Sequence, residues 1–435
     1  MRAQEAGAFD WRSVISPPRS PASRSALWVL FSVVILDLIG FGIVMLALPF
    51  YAEELGASAT LLGGILSIYA AAQFLFAPLW GKLSDRYGRR PVILFCVAGM
   101  GASLLWLGLA ETLPAIFVAR FVAGAFAANI GVASAYIADA TSAEERTRFM
   151  GLLGACFGIG FVLGPALAGL LHPLGESLFP SRAAALPILV AAGLAGINLV
   201  WGFFALKEPE RALAGGGAFR PDGGAAPASG ASGGRLAVLR EPGMRRLCLA
   251  WLIFSVGVTQ LEATFAFFMI ERFDYDLSQV AFIFVAMAVV MGAVQGGGMK
   301  RLAARYGERK LVASGTLVCA VAFVWVPLTS ALTALLGALA LGAIGRAVVQ
   351  PSMMALTSTT ATATSRGLAM GTFQSSGALA RVFGPALAGW LFDQSVSYPF
   401  FLAAGLFVLV SWVARGLPAR AVEMDGEPAG GVGFA

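Results

Sequence analysis

The sequence predicts an all-α integral membrane protein with 12 transmembrane helices arranged as two pseudo-symmetric six-helix halves. Three observations predict it. Of 435 residues, 58% are apolar and only 12% are charged, whereas a soluble domain carries roughly 25% charged residues. The apolar residues fall into twelve runs long enough to cross a bilayer, and the mean hydropathy is +0.80. Finally, patterns in the first half of the chain return in the second.

A helix needs roughly 20 predominantly apolar residues to cross the hydrocarbon core. The runs lie at 26–51, 57–80, 91–110, 113–138, 149–171 and 184–206, then at 247–270, 278–299, 311–328, 331–356, 367–391 and 397–415. The ninth and tenth share an uncharged stretch from Leu311 to Gly345, divided here at Pro327-Leu-Thr-Ser330. The first run is too long for the apolar core of a cleaved leader and is expected to remain as a span.

Lys and Arg in the connections orient the bundle, because cytoplasmic loops hold the excess. One alternating set contains both termini, with Arg2, Arg12, Arg19 and Arg24 at the start and Arg415 and Arg420 at the end. It also holds Lys82, Arg86, Arg89, Arg90, Arg146, Arg148, seven basic residues between 207 and 246, Lys300, Arg301, Arg305, Arg309, Lys310 and Arg366. The opposite set holds Arg182 and Arg272. Both termini are therefore expected in the cytoplasm, in a multi-pass protein of the plasma membrane (the inner membrane of a bacterium).

Domain boundaries follow. Residues 1–25 form a cytoplasmic tail, 26–206 the first half, 247–417 the second half, and 418–435 a second tail. The Gly-, Ala-, Ser- and Pro-rich interval 207–246 reads as a flexible cytoplasmic linker. The repeat supports the division. Phe161-Val-Leu-Gly-Pro-Ala-Leu-Ala-Gly169 in the fifth span recurs as Arg381-Val-Phe-Gly-Pro-Ala-Leu-Ala-Gly389 in the eleventh, and Arg86-Tyr-Gly-Arg-Arg90 recurs as Arg305-Tyr-Gly-Glu-Arg309. The offsets, 220 and 219, agree on one duplication. Two such halves are the plan of transporters that rock about a midplane site.

Other classes have little support. Cys96, Cys156, Cys248 and Cys319 lie singly in apolar runs and His172 is the only histidine, so no metal site is expected. The formal charge of +6 is explained by loop placement, without a nucleic-acid partner. No Gly-x-x-x-x-Gly-Lys-Ser/Thr string appears, so no bound nucleotide or other cofactor is expected and energy should come from a proton gradient. No nucleophile motif suggests an enzyme.

Gly81-Lys-Leu-Ser-Asp-Arg-Tyr-Gly-Arg-Arg-Pro91 is the most informative string. Positive-inside bias explains its basic residues, but not Gly81, Asp85 and Gly88 at this spacing. Gly81 permits close helix approach and Gly88 a tight turn. Asp85 can accept hydrogen bonds from a helix N-terminus or from an arginine such as Arg86, Arg89 or Arg90, and so can latch two halves together. The string resembles the signature between the second and third spans of the major facilitator superfamily.

The likeness extends to the twelve-span drug/proton antiporters, particularly the tetracycline exporters. It is carried by Asp37-Leu-Ile-Gly-Phe-Gly-Ile-Val-Met-Leu-Ala-Leu-Pro49, Tyr69-Ala-Ala-Ala-Gln-Phe-Leu-Phe-Ala-Pro78 and Ile137-Ala-Asp-Ala-Thr-Ser-Ala-Glu-Glu-Arg146. Gly154-Ala-Cys-Phe-Gly-Ile-Gly-Phe-Val-Leu-Gly-Pro165 resembles the fifth-span antiporter motif through Gly154, Gly158, Gly160, Gly164 and Pro165. Small-residue helix packing alone would also use these glycines. The resemblance implies a monomeric secondary transporter that exports amphipathic small molecules, of drug or tetracycline type, in exchange for protons. An importer or metabolite porter on the same scaffold is the alternative. Where the tetracycline exporters carry third- and ninth-span acids and an eighth-span histidine, this chain has Ser103, Cys319 and Met291; the glutamine a turn beyond that histidine is present as Gln295.

Ionisable groups within the hydrocarbon are costly and mark cavities or pairs. Asp37 and Glu262 lie at mid-depth of the first and seventh spans, which are equivalent in the two halves, so both are expected at a central cavity as proton carriers and substrate partners. Keeping a carboxylate from water disfavours its charged form, which suits reversible proton uptake. Either could instead neutralise Arg120 or Arg381. By resemblance, Arg120 is the fourth-span arginine that controls carboxylate protonation; Arg346 and Arg381 have no such match. Gln73, Asn129, Gln260, Gln295 and Gln374 are further polar groups that either line the path or bond between helices.

Overall fold

The protein is described by a computed structural model covering residues 21–127, 129–141, 143–209, 235–361 and 366–417. Residues 1–20, the linker core 210–234 and the tail 418–435 lie outside the described residues, and with them most of the expected tails and linker. Among the described residues all regular structure is helical.

The spans follow the apolar runs but begin or end beyond them, because loop-side turns carry polar residues that membrane periodicity does not register. The first half consists of Pro21–Glu54, Ala59–Tyr87, Arg89–Gly108, the pair Leu113–Phe126 and Asn129–Ala140, then Ala143–Leu178 and Ala185–Ala205. The second half starts with Pro242–Phe273 and Leu277–Ala293, which continues through a π-helical turn, Val294–Gly298. Glu308–Leu328, Leu332–Thr360, Arg366–Gln394 and Tyr398–Ala414 complete it. Among the described residues ten spans are both long and apolar enough to cross a membrane, and Tyr398–Ala414 is a shorter apolar helix. Arg366–Gln394 has 29 residues, its hydropathy diluted by Gln374, Ser375, Ser376 and Arg381. With these two the count is twelve.

Two boundaries differ from expectation. The first helix begins at Pro21 rather than at residue 26, and residues assigned to the linker form the helix Arg235–Arg240 and the start of the seventh span at Pro242. Both segments are too polar to register as span, yet Pro242 is an N-terminal helix residue, where its missing N–H costs nothing.

The two halves pack alike. In the first, the first span lies against the fifth and sixth and the sixth against the third; in the second, the seventh lies against the eleventh and twelfth and the twelfth against the ninth. The halves meet through the second span on the eleventh and the fifth on the eighth, which are again equivalent pairs. The recurring Gly-Pro-Ala-Leu-Ala-Gly string explains both levels. Its first glycine packs within its own half: a Cβ at Gly164 would lie 2.6 Å from the Cα of Gly42, and one at Gly384 would strike Thr259. Its last glycine packs across: Gly169 against Ala281 of the eighth span, Gly389 against Ala59 of the second.

Hydrogen bonds across the junction lie at the same end. Ala59 and Thr60 donate their backbone N–H groups to Asp393 at 3.1 and 3.0 Å. Ser278 donates to the Gly169 carbonyl at 2.8 Å, and Ala386 N–H donates to Ser67 at 3.1 Å. Toward the opposite end, a Cβ added at Gly81, Gly151, Gly154, Gly158, Gly292, Gly296, Gly297 or Gly371 would meet nothing within 4 Å. The halves therefore close at one end and part at the other. Large apolar side chains such as Leu170, Phe204 and Phe282 stand exposed on the outside of the bundle, as contact with lipid requires.

Candidate transport site

The cluster in the first half is built on a break in the fourth span. Leu113–Phe126 ends and Asn129–Ala140 begins, and two carbonyls at this point accept from side chains. The second span supplies donors: Gln73 Nε2 reaches the Ala127 carbonyl at 2.9 Å and Trp80 Nε1 reaches that of Ala125 at 2.5 Å. A broken helix at membrane depth is tolerated only when neighbours satisfy it in this way. The break turns Asn129 toward the first span, where its Nδ2 donates to Asp37 Oδ1 at 3.2 Å. Asn129 is buried, and its Oδ1 has no hydrogen-bond partner among the described residues.

Arg120 lies about two helix turns before this break. It is 3% exposed, with its guanidinium 4.1 Å from the ring centroid of Tyr69. Its Nε lacks a hydrogen-bond partner, and among the described residues no carboxylate forms an ion pair with it. Tyr69 is also within electrostatic reach of Asp37 and of Arg381 from the second half. The geometry in this half is thus two contacts, Arg120 on the Tyr69 ring and Asn129 on Asp37.

The second half differs. Glu262 Oε1 accepts from Arg346 Nη2 at 2.8 Å, with the side chains 34% and 18% exposed respectively. The alternative of a salt bridge to Arg120 or Arg381 is not what forms among the described residues: Glu262 pairs with Arg346 of the tenth span, and Asp37 has an amide partner. Sequence offered no means to choose among arginines, because span order does not fix which helices face each other.

The remaining polar residues separate into two groups. Gln260 is fully buried, donating to the carbonyls of Val256 and Gly384 at 3.1 and 3.3 Å, and so ties the seventh span to the eleventh. Gln295, within the π turn, and Gln374 are exposed. Ser103 and Cys319, at the positions of the exporters' acids, are packing residues: Ser103 donates to its own helix at Met100, and Cys319 Sγ lies 3.8 Å from the Gly342 carbonyl.

In the loop motif, Gly88 has φ of +100° and ends the second span, so any side chain would be strained. Arg89 pairs with Asp85 at 2.5 Å and with Asp139 of the fourth span at 2.8 Å. The expected latch between halves is not made by Asp85 here; its partner lies in its own half, four residues away. Sequence reading missed Glu208. Its carboxylate accepts from the backbone N–H groups of Arg89 and Arg90 at 2.5 and 2.8 Å, satisfying the first amides of the third span. Tyr136 holds the same segment by donating to the Lys207 carbonyl at 2.5 Å. An acid directly after a span is a signal, but its target was not readable. Of the fifth-span motif, Gly160 and Gly164 pack on the first span at Leu38 and Gly42, Pro165 packs beside Gly42, and Gly154 and Gly158 face open space.

The Major Facilitator Superfamily model matches residues 30–301 and 297–431, nearly the whole chain. The chain belongs to that superfamily. Major facilitator members are transporters rather than enzymes. Among relatives, the class H tetracycline resistance protein of Pasteurella multocida is 27% identical over 387 residues, covering 86% of this chain and 91% of the relative. Multidrug resistance protein 1 of Bacillus subtilis is 26% identical over 403 residues, covering 89% and 96%. The crystal structure of the human organic anion transporter MFSD10 (TETRAN) is 25% identical, with a TM-score of 0.61, covering 91% of this chain and 100% of that one. This major facilitator protein is thus a multi-pass membrane transporter resembling the tetracycline exporters.

Proposed function

We propose that the protein is a secondary-active exporter that exchanges protons for an amphipathic small molecule by alternating access. The observation that carries this reading is Asp37, hydrogen-bonded to Asn129 at 3.2 Å, in the same half as a buried Arg120 that stacks on Tyr69 and that no described carboxylate neutralises. Asn129 can serve both protonation states. Its Nδ2 donates to the carboxylate, and after an amide flip its Oδ1 would accept from the carboxylic acid. Arg120, stacked on Tyr69 and without a described carboxylate partner, offers a site to an acidic group of the substrate. Substrate and proton then compete for one carboxylate, which couples their movements without further machinery.

With both termini and the 207–246 interval in the cytoplasm, the ends joined by Asp393 face outward and the parted ends face inward, an inward-open state. The two halves, 26–206 and 247–417, are the rocking bodies. Asp37, Arg120, Asn129 and Gln73 line the path from one half, and Glu262, Gln295 and Gln374 from the other. A substrate that engages both the Asp37 carboxyl and the unpaired Arg120 guanidinium carries groups of both signs and is zwitterionic. That suits the tetracycline-type relatives and the human organic anion transporter alike, while Ser103, Met291 and Cys319 argue against carrying tetracycline itself over from them.

Everted vesicles with an inward-acid gradient should release protons when substrate is added, in a screen of drugs and metabolites. Substrate uptake coupled to proton entry in intact cells would instead establish the importer. Orientation is tested separately: single cysteines at Ser229 and Glu176 should label from opposite faces of the membrane, and labelling from one face would sink the topology.

A further inference from the structure

A charged side chain inside a membrane span is costly unless it pairs or lines an open path. Arg120, Arg346 and Arg381 all lie within spans, and two of them are accounted for: Arg346 pairs with Glu262, and Arg120 stacks on Tyr69. The third, Arg381, stands near the middle of the eleventh span, Arg366–Gln394. It is exposed, and no described carboxylate pairs with it.

Helical phase decides what that exposure means. At about 100° per residue, the exposed apolar residues Leu379, Phe383, Leu387 and Trp390 share one face of the eleventh span, the face given to lipid. Arg381 lies on the opposite face. The contacts on either side of it belong to the neighbouring spans: Gly377 and Gly384 pack on Trp251 and Thr259 of the seventh, and Pro385 packs on Gly63 of the second. Gln374, two turns away on the same face, is exposed as well. Among the described residues, Ala386 N–H to Ser67 is the hydrogen bond between the second and eleventh spans that lies nearest the parted end. Arg381 is just over one turn beyond it, on the side where the halves part.

The repeat shows what the same position meets in the first half. Arg381 opens the string Arg381-Val-Phe-Gly-Pro, and Phe161 opens its counterpart, Phe161-Val-Leu-Gly-Pro. Phe161 is also exposed, edge-on to Phe41 with 6.0 Å between ring centroids. Phe41 in turn lies 6.2 Å from Tyr69, the ring that carries Arg120. A position filled by an aromatic ring in one half is thus filled by a guanidinium in the other. Rings alone accept any planar apolar molecule, whereas an unpaired guanidinium adds paired N–H donors that match a carboxylate.

We propose that Arg381 is a specificity-determining residue that selects substrates bearing an acidic group. It holds the substrate's carboxylate from the second half while an aromatic body lies on Phe161 and Phe41 of the first. Arg120 is buried and Arg381 is exposed, so a substrate entering from the parted end meets Arg381 first. The inference rests on the central path of the export reading, but not on its proton exchange or its direction.

The test is equilibrium binding to the purified full-length protein without a gradient, so that failure of proton exchange or of outward transport leaves the result standing. The probes are matched pairs: 2-naphthylalanine and 1-naphthylacetate, each against its primary amide. In the wild type each acid should bind saturably and about tenfold tighter than its amide, the worth of roughly one hydrogen bond between charged groups. Arg381→Gln should bring each acid to the affinity of its amide, while amide binding and the unfolding temperature stay unchanged. Arg381→Lys keeps the charge and should retain part of the preference. Equal binding of acids and amides by the wild type, no saturable binding of the acids, or a preference that survives Arg381→Gln overturns the proposal.

Discussion

Asp37 and Glu262 occupy equivalent spans of a duplicated chain, yet their surroundings diverge. Asp37 meets a neutral amide at 3.2 Å, and Arg120 of the same half stacks on Tyr69 without a described carboxylate partner. Glu262 meets Arg346 at 2.8 Å, and the pair is partly open to solvent. Duplication supplied two acids, and their partners have diverged: Asp37 keeps an amide that can donate or accept, while Glu262 pairs with Arg346 and so ties the seventh span to the tenth.

The largest expected effect therefore falls on Asp37. Asp37→Asn should lower proton-coupled transport in proteoliposomes on the order of 100-fold, the scale of a full coupling energy, while downhill exchange survives. If Glu262→Gln does the same and Asp37→Asn does not, the comparison is inverted.

Glu262→Gln should act first on stability. It leaves Arg346 without its counter-charge, and thermal unfolding should report a loss of about 1–3 kcal/mol. Adding Arg346→Gln should recover most of it, and the double-mutant cycle isolates the pair. No recovery would mean that Glu262 serves something other than Arg346.

Glu208→Ala should cost about 1 kcal/mol, the usual worth of a helix cap. Faster exchange should appear at the first turn of the third span, with a modest fall in transport. Smallest of all is Asp85→Asn, because Arg89 keeps Asp139 at 2.8 Å. The initial transport rate should drop only a few-fold, as expected from losing one charge-assisted bond of about 1 kcal/mol. Near-complete loss would mean that Asp85 engages the other half in another conformation, restoring the latch.

How far the sequence could be read depends on the range of the signal. Span existence is local, and even the uncharged stretch 311–345 divides where Pro327 and Thr329 suggest, between Leu328 and Leu332. The recurring Gly-Pro-Ala-Leu-Ala-Gly string likewise announced the duplication. Asp37, Arg120 and Asn129 were legible as site candidates because polar groups stand out in apolar helices. That Asn129 contacts Asp37 was not, since it follows from the break after Phe126, which no proline or charge marks.

The sequence by itself determined the membrane architecture, the two halves and the family, because hydrophobic length, basic-residue bias and glycine patterns act within single helices or short loops. Only the tertiary structure decided which arginine neutralises Glu262 and that Glu208 caps the third span. Those facts rest on contacts between residues 84 and 119 positions apart. Helix packing brings such residues together, and composition carries no record of distance across a bundle.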